Sequence, residues 1–367
     1  MTRPTILVTG ATGKTGGAVA TQLRQQGWPV RAVVRTRDAR SDRLDRLGVE
    51  TVAADPFDPD QLAEAIRGTK RAYYLPINHP YMIQAASAFA VAARGSGLES
   101  IVQMSQWLSS PAHPSLMTRQ TWLVDHLFAM IPGVAHTIIN PGMFADNYLR
   151  VVDFASLLGI YPVLAGKSRS APVANEDIAR VAVAALVDPD RHAGQSYRPT
   201  GPKLLSGSDM AAILGRVLGR RVRPIEMPFG MFLRVARMQG VDPYLLSGFR
   251  SYLQDHRLGA FEVGGGTNDV VREVTGTPAE DFEATARRYA ALPFARPTFA
   301  NRVRAIVNFL RVPFHPGYNL DRRDRQQNYP VPPQPRFSVD DDRWRVEHAP
   351  ETTRGPIQPL LQSGLVA

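Results

Sequence analysis

Along the first 142 residues the apolar positions follow two alternating periods. Short, β-branched runs that are apolar on both faces predict strands at Thr5–Thr9, Val30–Val34, Glu50–Ala54, Arg71–Leu75, Ser100–Met104 and Thr137–Ile139. Between them, three- and four-residue spacing predicts helices over Lys14–Gln26, Asp42–Leu47, Pro59–Arg67, Pro80–Arg94 and Ser115–Met130. Strands buried on both faces and separated by helices imply a parallel sheet covered on each side, joined by right-handed crossovers.

After Gly142 the rhythm becomes mostly helical. Helices are expected at Asn175–Val187, with Glu176 and Asp177 in the first turn, and at Ser208–Leu218, Met231–Arg237, Tyr244–Arg257 and Pro278–Ala291. A short strand is expected at Val222–Ile225. The segment Pro313–Pro359 carries nine prolines and alternating charges from Asp321 to Arg325, which predicts an extended tail. Its anchors would be Phe314, Tyr318, Tyr329, Phe337 and Trp344. The expected organisation is therefore a sheet domain over residues 1–150, completed by later strands, a smaller lobe over 151–300 and a tail over 301–367.

Composition narrows the chemistry. Of 367 residues 44% are hydrophobic and 21% charged, an ordinary globular balance. Cysteine is absent, which excludes disulfides, thiolate catalysis, Cys-ligated zinc and iron–sulfur clusters. The eight histidines are scattered, so no metal site is expected. The net charge of +10 comes from 43 basic residues, of which only Lys14, Lys70, Lys167 and Lys203 are lysine. The arginines are interleaved with acids and no nucleic-acid-binding motif accompanies them, so no nucleic-acid partner is expected. No apolar run reaches the roughly 20 residues of a membrane span. With no signal-peptide pattern either, the expected location is the cytoplasm, without membrane contact.

The turn Thr9-Gly10-Ala11-Thr12-Gly13-Lys14-Thr15-Gly16-Gly17 follows the first strand and opens the first helix. Gly10, Gly13 and Gly16 suit a tight turn, a close backbone approach to pyrophosphate and tight packing of the helix. The helix N-terminus offers unpaired amides to phosphate, placing Thr12, Lys14 and Thr15 beside it. A P-loop is excluded, because its first glycine would fall on Val8. The pattern is that of a dinucleotide-binding, Rossmann-type doubly wound sheet. The second strand ends in Arg35 where a carboxylate would select NAD. A guanidinium there suits a 2′-phosphate, so NADP(H) is expected to be preferred over NAD(H). Asp55, Pro76 and Ile77 end strands three and four, at the edge where ligands bind.

These motifs, together with Asn140-Pro141-Gly142-Met143-Phe144 and Asp146-Asn147, resemble the NmrA-like group of atypical short-chain dehydrogenases/reductases over roughly residues 4–290. The resemblance implies an extended Rossmann fold, bound NADP(H) and a small lobe closing over a substrate. It also implies one of two roles, a reductase of quinones, imines, dyes or phenylpropanoids, or a non-catalytic redox sensor with a regulatory protein partner. Active relatives carry a serine after strand five, matched by Ser105, and then Tyr-x-x-x-Lys. Taking Asp125 as the acid that usually follows the lysine, the tyrosine position falls on Met117 and the lysine position on Thr121. The residues four places before the four lysines are Gly10, Ile66, Val163 and Pro199, so the dyad is absent from the chain. The resemblance further places Thr121, Pro141 and Gly142 at the cofactor, and Gln106, Trp107, Met117, Phe144 and Asn147 around a small-molecule acceptor. His79 and His113 are the candidate proton donors. The expected activity is NADPH-dependent hydride transfer to a quinone-, imine- or enone-like acceptor; the alternative is a sensor of NmrA type.

Overall fold

The computed structural model describes residues 3–349 and the backbone of residues 354–356. Among the described residues there are ten strands: β1 Thr5–Thr9, β2 Val30–Val34, β3 Glu50–Ala53, β4 Thr69–Tyr74, β5 Ser100–Met104, β6 Ala135–Ile139, β7 Ile160–Val163, β8 Gln195–Tyr197, β9 Arg223–Glu226 and β10 Arg354–Pro356. The main sheet has the order β10-β8-β6-β5-β4-β1-β2-β3. Every pairing in it is parallel except that of β10 with β8. The chain direction of travel reverses between β1 and β4, which makes their carboxyl ends the topological switch point.

Two helical layers cover the sheet. On one face α1 (Lys14–Gln25) packs against a helix at Asn175–Val187, burying Val19, Ala20, Leu23, Ile178, Val181 and Ala185. The next helix, α2 (Ala39–Arg46), lies on that same face and adds Leu44 to its core, while on the other face α3 (Pro59–Ile66), α4 (Met82–Ala93) and α5 (Leu116–Ala129) meet at Ile66, Phe89, Val124 and Phe128. Tyr74 sits between Phe89 and Phe128, with ring centroids 4.7 Å from each. The alanines of α4 bring it close enough for those rings to interlock. Each buried phenylalanine contributes about 2–3 kcal/mol through area removed from water. The helix starts follow local chemistry: Asp38 caps α2, Asp58 caps α3 ahead of Pro59, and Ser115 caps α5.

The second lobe has its own core, where Leu149, Val152, Tyr161, Met210, Leu214 and Phe282 meet. Its strands β7 and β9 form a separate parallel pair, matching the strand expected near Val222–Ile225.

The tail differs from the extended chain its prolines suggested. Helices occupy Phe299–Arg311, Leu320–Gln327 and Asp342–Glu347, each started by a side-chain cap from Thr298, Asn319 or Asp341. Prolines mark the breaks between them rather than preventing them. Of the expected anchors, Trp344 is only 1% exposed, whereas Phe314 is 89% exposed and anchors nothing. Tyr318, Tyr329 and Phe337 are half-buried.

Candidate cofactor and acceptor site

At the switch point the Thr9 hydroxyl accepts from the amide of Leu75 at 2.8 Å and donates to the Tyr73 carbonyl at 3.3 Å, tying β1 to β4. Gly10 follows with φ +64°, a conformation that needs glycine, and a Cβ there would lie 2.7 Å from Leu75 Cδ2. The Gly13 amide donates to the Gly10 carbonyl at 2.9 Å, closing the turn. A Cβ on Gly16 would collide with that same carbonyl oxygen, so the third glycine serves loop-on-helix packing. No side chain caps α1, and its first turn holds no acid. An uncapped N-terminus in a glycine cradle fits a pyrophosphate.

The flanking residues of this turn have distinct partners. The Thr15 hydroxyl is buried and donates to Asn175 Oδ1 at 2.9 Å, joining the two helices on that face. Lys14 Nζ bonds Asp146, and the Tyr289 hydroxyl lies 3.1 Å away and also donates to Asp146. Lys14 therefore bridges to the second lobe, a contact the motif did not announce. Thr12 sits half-buried at the turn.

Arg35 is exposed at the end of β2 and makes no ion pair among the described residues, whereas its neighbours are engaged. Arg37 donates to the Thr51 carbonyl, and Arg40 pairs with Asp38 at 2.6 Å. The Arg40 side chain, with the backbone amides of Arg40 and Ser41, holds the Asp38 carboxyl down at about 2. Asp55 accepts from the amide of Phe57 at 2.9 Å, the geometry of an aspartate turn. Pro76 is buried and Ile77 half-buried after β4. Pro141 and Gly142 are buried after β6, where the Gly142 amide donates to the Pro199 carbonyl at 3.1 Å. All of these follow the carboxyl ends of parallel strands, so the sheet brings them to one edge.

Beyond β5 the polar groups form a closed network. The Ser105 hydroxyl donates to Asp125 Oδ2 at 2.7 Å, Ser109 donates to the same oxygen at 2.8 Å and Gln103 Nε2 donates to Oδ1 at 2.5 Å. Burial pushes the Asp125 carboxyl up to about 7, against the pull of these donors. Behind it, His136 Nε2 lies 2.9 Å from Gln103 Oε1. Burial lowers His136 to about 3, so the ring is neutral and donates through Nε2. Thr121 is buried and its hydroxyl accepts from Gln106 Nε2 at 2.7 Å and donates to the Met117 carbonyl at 3.0 Å. The tyrosine and lysine positions of α5 thus carry no titratable group.

The expected pocket residues divide. Gln106 stays half-buried beside Thr121, Phe144 is half-buried at the start of a helix at Ala145–Leu149, and Asn147 is exposed on that helix. Trp107 and Met117 are spent on packing. Met117 presses against Gly248 of the helix Pro243–Arg257, and Trp107 donates from Nε1 to the Ala260 carbonyl at 3.0 Å. The Trp344 indole donates to the Trp107 carbonyl at 2.8 Å and stacks on His348, with centroids 4.0 Å apart. His113 is fully buried, with Nε2 2.5 Å from Asp255 Oδ2 and Nδ1 accepting from the Ser115 amide at 3.0 Å. Asp255 also accepts from the Ser338 amide at 2.8 Å, and the Ser110 hydroxyl bonds Asp341 at 2.5 Å. The tail thus roofs the loop from Trp107 to Pro114. His79 is half-buried, its Nδ1 accepting from the Tyr81 amide at 3.2 Å.

A parallel sheet with a glycine cradle at its switch point defines a dinucleotide-binding Rossmann protein. The comparisons agree: a family model for NAD(P)H-binding proteins matches residues 10–189. The chain is 30% identical to an NAD(P)H azoreductase of Xenophilus azovorans, over 78% of this chain and 98% of that protein. It is 32% identical to a (4-alkanoyl-5-oxo-2,5-dihydrofuran-3-yl)methyl phosphate reductase of Streptomyces griseus, over the same shares. Among solved structures it superposes on Nmra, a negative transcriptional regulator in complex with NAD, with TM-score 0.63 and 16% identity over 78% of this chain and 95% of that one. The chain belongs to the NmrA-like NAD(P)-binding Rossmann family.

Proposed function

We propose that this protein is an NADPH-dependent reductase that delivers hydride to a small quinone-, imine- or enone-like acceptor without a Tyr-Lys dyad. The observation that carries the reading is α5: Met117 and Thr121 stand where an acid and its lysine would be, and the Thr121 hydroxyl is spent on Gln106 and Met117. Such a site suits acceptors whose reduction needs hydride first and a proton from water afterwards. Both near-full-length relatives being reductases supports the class.

The glycine cradle and the uncapped start of α1 would hold the pyrophosphate, and the unpaired Arg35 would meet the adenosine 2′-phosphate. When bound, the nicotinamide supplies the hydride. Pro76, Ile77, Pro141 and Gly142 would border it, and Gln106, Phe144 and Asn147 would position the acceptor. Ser105 Oγ, oriented by Asp125, would fix the polar end of that acceptor.

Stopped-flow oxidation of NADPH against quinones, cationic imines, enones and azo compounds tests the reading; turnover on at least one class is expected. The second reading is a redox sensor of NmrA type. It is favoured by Ser105 being committed to Asp125 and by the loop after β5 lying under the tail. Tight NADPH binding with no turnover on any class would select it.

A further inference from the structure

The helix Phe299–Arg311 is built inside out. Its half-buried side is Asn301 and Ala305, with Val312 just beyond, and it rests on the turn Phe154–Leu158. Asn301 Nδ2 fixes that side by donating to the carbonyls of Pro293 and Arg296, each at 2.9 Å. Phe299, Val303, Ile306 and Leu310 recur at three- and four-residue spacing and share the opposite side. Phe299 is 85% exposed and Leu310 is 61% exposed, and Phe314 continues the stripe beyond the helix.

The charge carried by this stretch of chain is of one sign. From Ala284 to Leu320 the chain has no aspartate or glutamate. Arg302 and Arg311 flank the apolar stripe, are exposed, and make no salt bridge among the described residues, whereas Arg304 donates to Asn301 Oδ1 at 2.8 Å on the half-buried side. Arginine stems can lie along an apolar surface while their heads reach anionic groups. An apolar stripe between unpaired cations matches a layer that is apolar inside and anionic at its surface. A second copy of the chain fits worse, since pairing the stripes would bring both sets of arginines together.

We propose that the helix Phe299–Arg311, with Phe314, is a docking surface for an anionic lipid bilayer. It would lie in the plane of the interface; no helix among the described residues is long and apolar enough to cross a membrane. The lack of a spanning segment does not bear on a helix that lies in the surface plane.

The test is flotation of the full chain with phosphatidylcholine vesicles, with or without phosphatidylglycerol. Binding is expected only with phosphatidylglycerol and should weaken as salt rises. Phe299→Ser/Leu310→Ser/Phe314→Ser should abolish it without changing NADPH affinity or melting temperature, because these side chains are exposed. Each of Arg302→Gln and Arg311→Gln should weaken it about fivefold. A Phe299→Trp emission spectrum should shift to the blue on anionic vesicles. No flotation with anionic vesicles at low salt would overturn the proposal. So would a concentration-dependent dimer in sedimentation that the triple serine variant abolishes, since that would show a second copy covering the face.

Discussion

Replacing Trp344 by alanine probes the link between tail and site. The side chain is almost completely buried among Trp107, Phe261 and His348. Burying a tryptophan removes about 150–250 Å² from water, and truncating one in a core costs roughly 3–5 kcal/mol. Its Nε1 bond to the Trp107 carbonyl adds about 1 kcal/mol. The global loss should be smaller than that sum, because the segment from Tyr329 to Ala349 can detach without opening the sheet. The cost would then appear locally. A loss of about 3 kcal/mol in docking corresponds to roughly hundredfold faster amide exchange in the tail and in the loop Trp107–Pro114. Exchange in β1, α1 and the helix Asn175–Val187 should stay as it was. Hydrogen exchange read by mass spectrometry, with limited proteolysis alongside, makes the comparison, and Phe314→Ala serves as the exposed control that should change nothing. Acceptor KM should rise while NADPH affinity holds, since Gln106, placed at the acceptor, directly precedes this loop. Unaltered exchange in both the tail and the loop would refute the reasoning.

Four further outcomes are expected. Gly16→Ala should abolish NADPH binding or raise its Kd at least about tenfold, measured by fluorescence titration, because a methyl group there strikes the Gly10 carbonyl. Arg35→Ala should weaken NADPH by about 10- to 100-fold, the range of a charge-assisted bond, and leave NADH nearly unchanged; equal affinity of wild type and variant for NADPH would end the assignment. Lys14→Met should cost at most about 1 kcal/mol in urea melts, since the lysine side chain is 57% exposed. Asp125 binds its proton more tightly in the fold than in the unfolded chain, so its contribution to stability is complete below about pH 4 and is lost as pH rises through about 7. At 1.36 kcal/mol per pH unit the loss is at most roughly 4 kcal/mol, and Asp125→Asn should flatten that part of the profile between pH 5 and 8 in urea titrations.

Much of the site was legible because its chemistry is local. A glycine triplet between a strand and a helix, an arginine at the end of the next strand and an exhaustive search around four lysines all use short-range information. The network on Asp125 was half legible: Asp125 and Ser105 could be marked by position, but Gln103, Ser109 and His136 converge on them only through β5, β6 and α5. The Lys14–Asp146–Tyr289 bridge spans residues from three separate parts of the chain, and no spacing announces it. Trp107 and Met117 have the composition of pocket walls, and only the packed structure shows them committed to other partners.

By itself, the alternation of apolar periods determined a parallel sheet wrapped in helices, because strand and helix periodicities are properties of neighbouring residues. Glycine spacing determined the dinucleotide cradle for the same reason. Tertiary structure alone decided the fate of the tail. Its prolines suppress helical periodicity, so its short helices rest on caps and on the burial of Trp344 against a tryptophan more than two hundred residues earlier in the chain. It alone decided, too, which side of the helix Phe299–Arg311 faces water. Amphipathic spacing tells that a helix has an apolar side; only the body it rests on tells whether that side is covered.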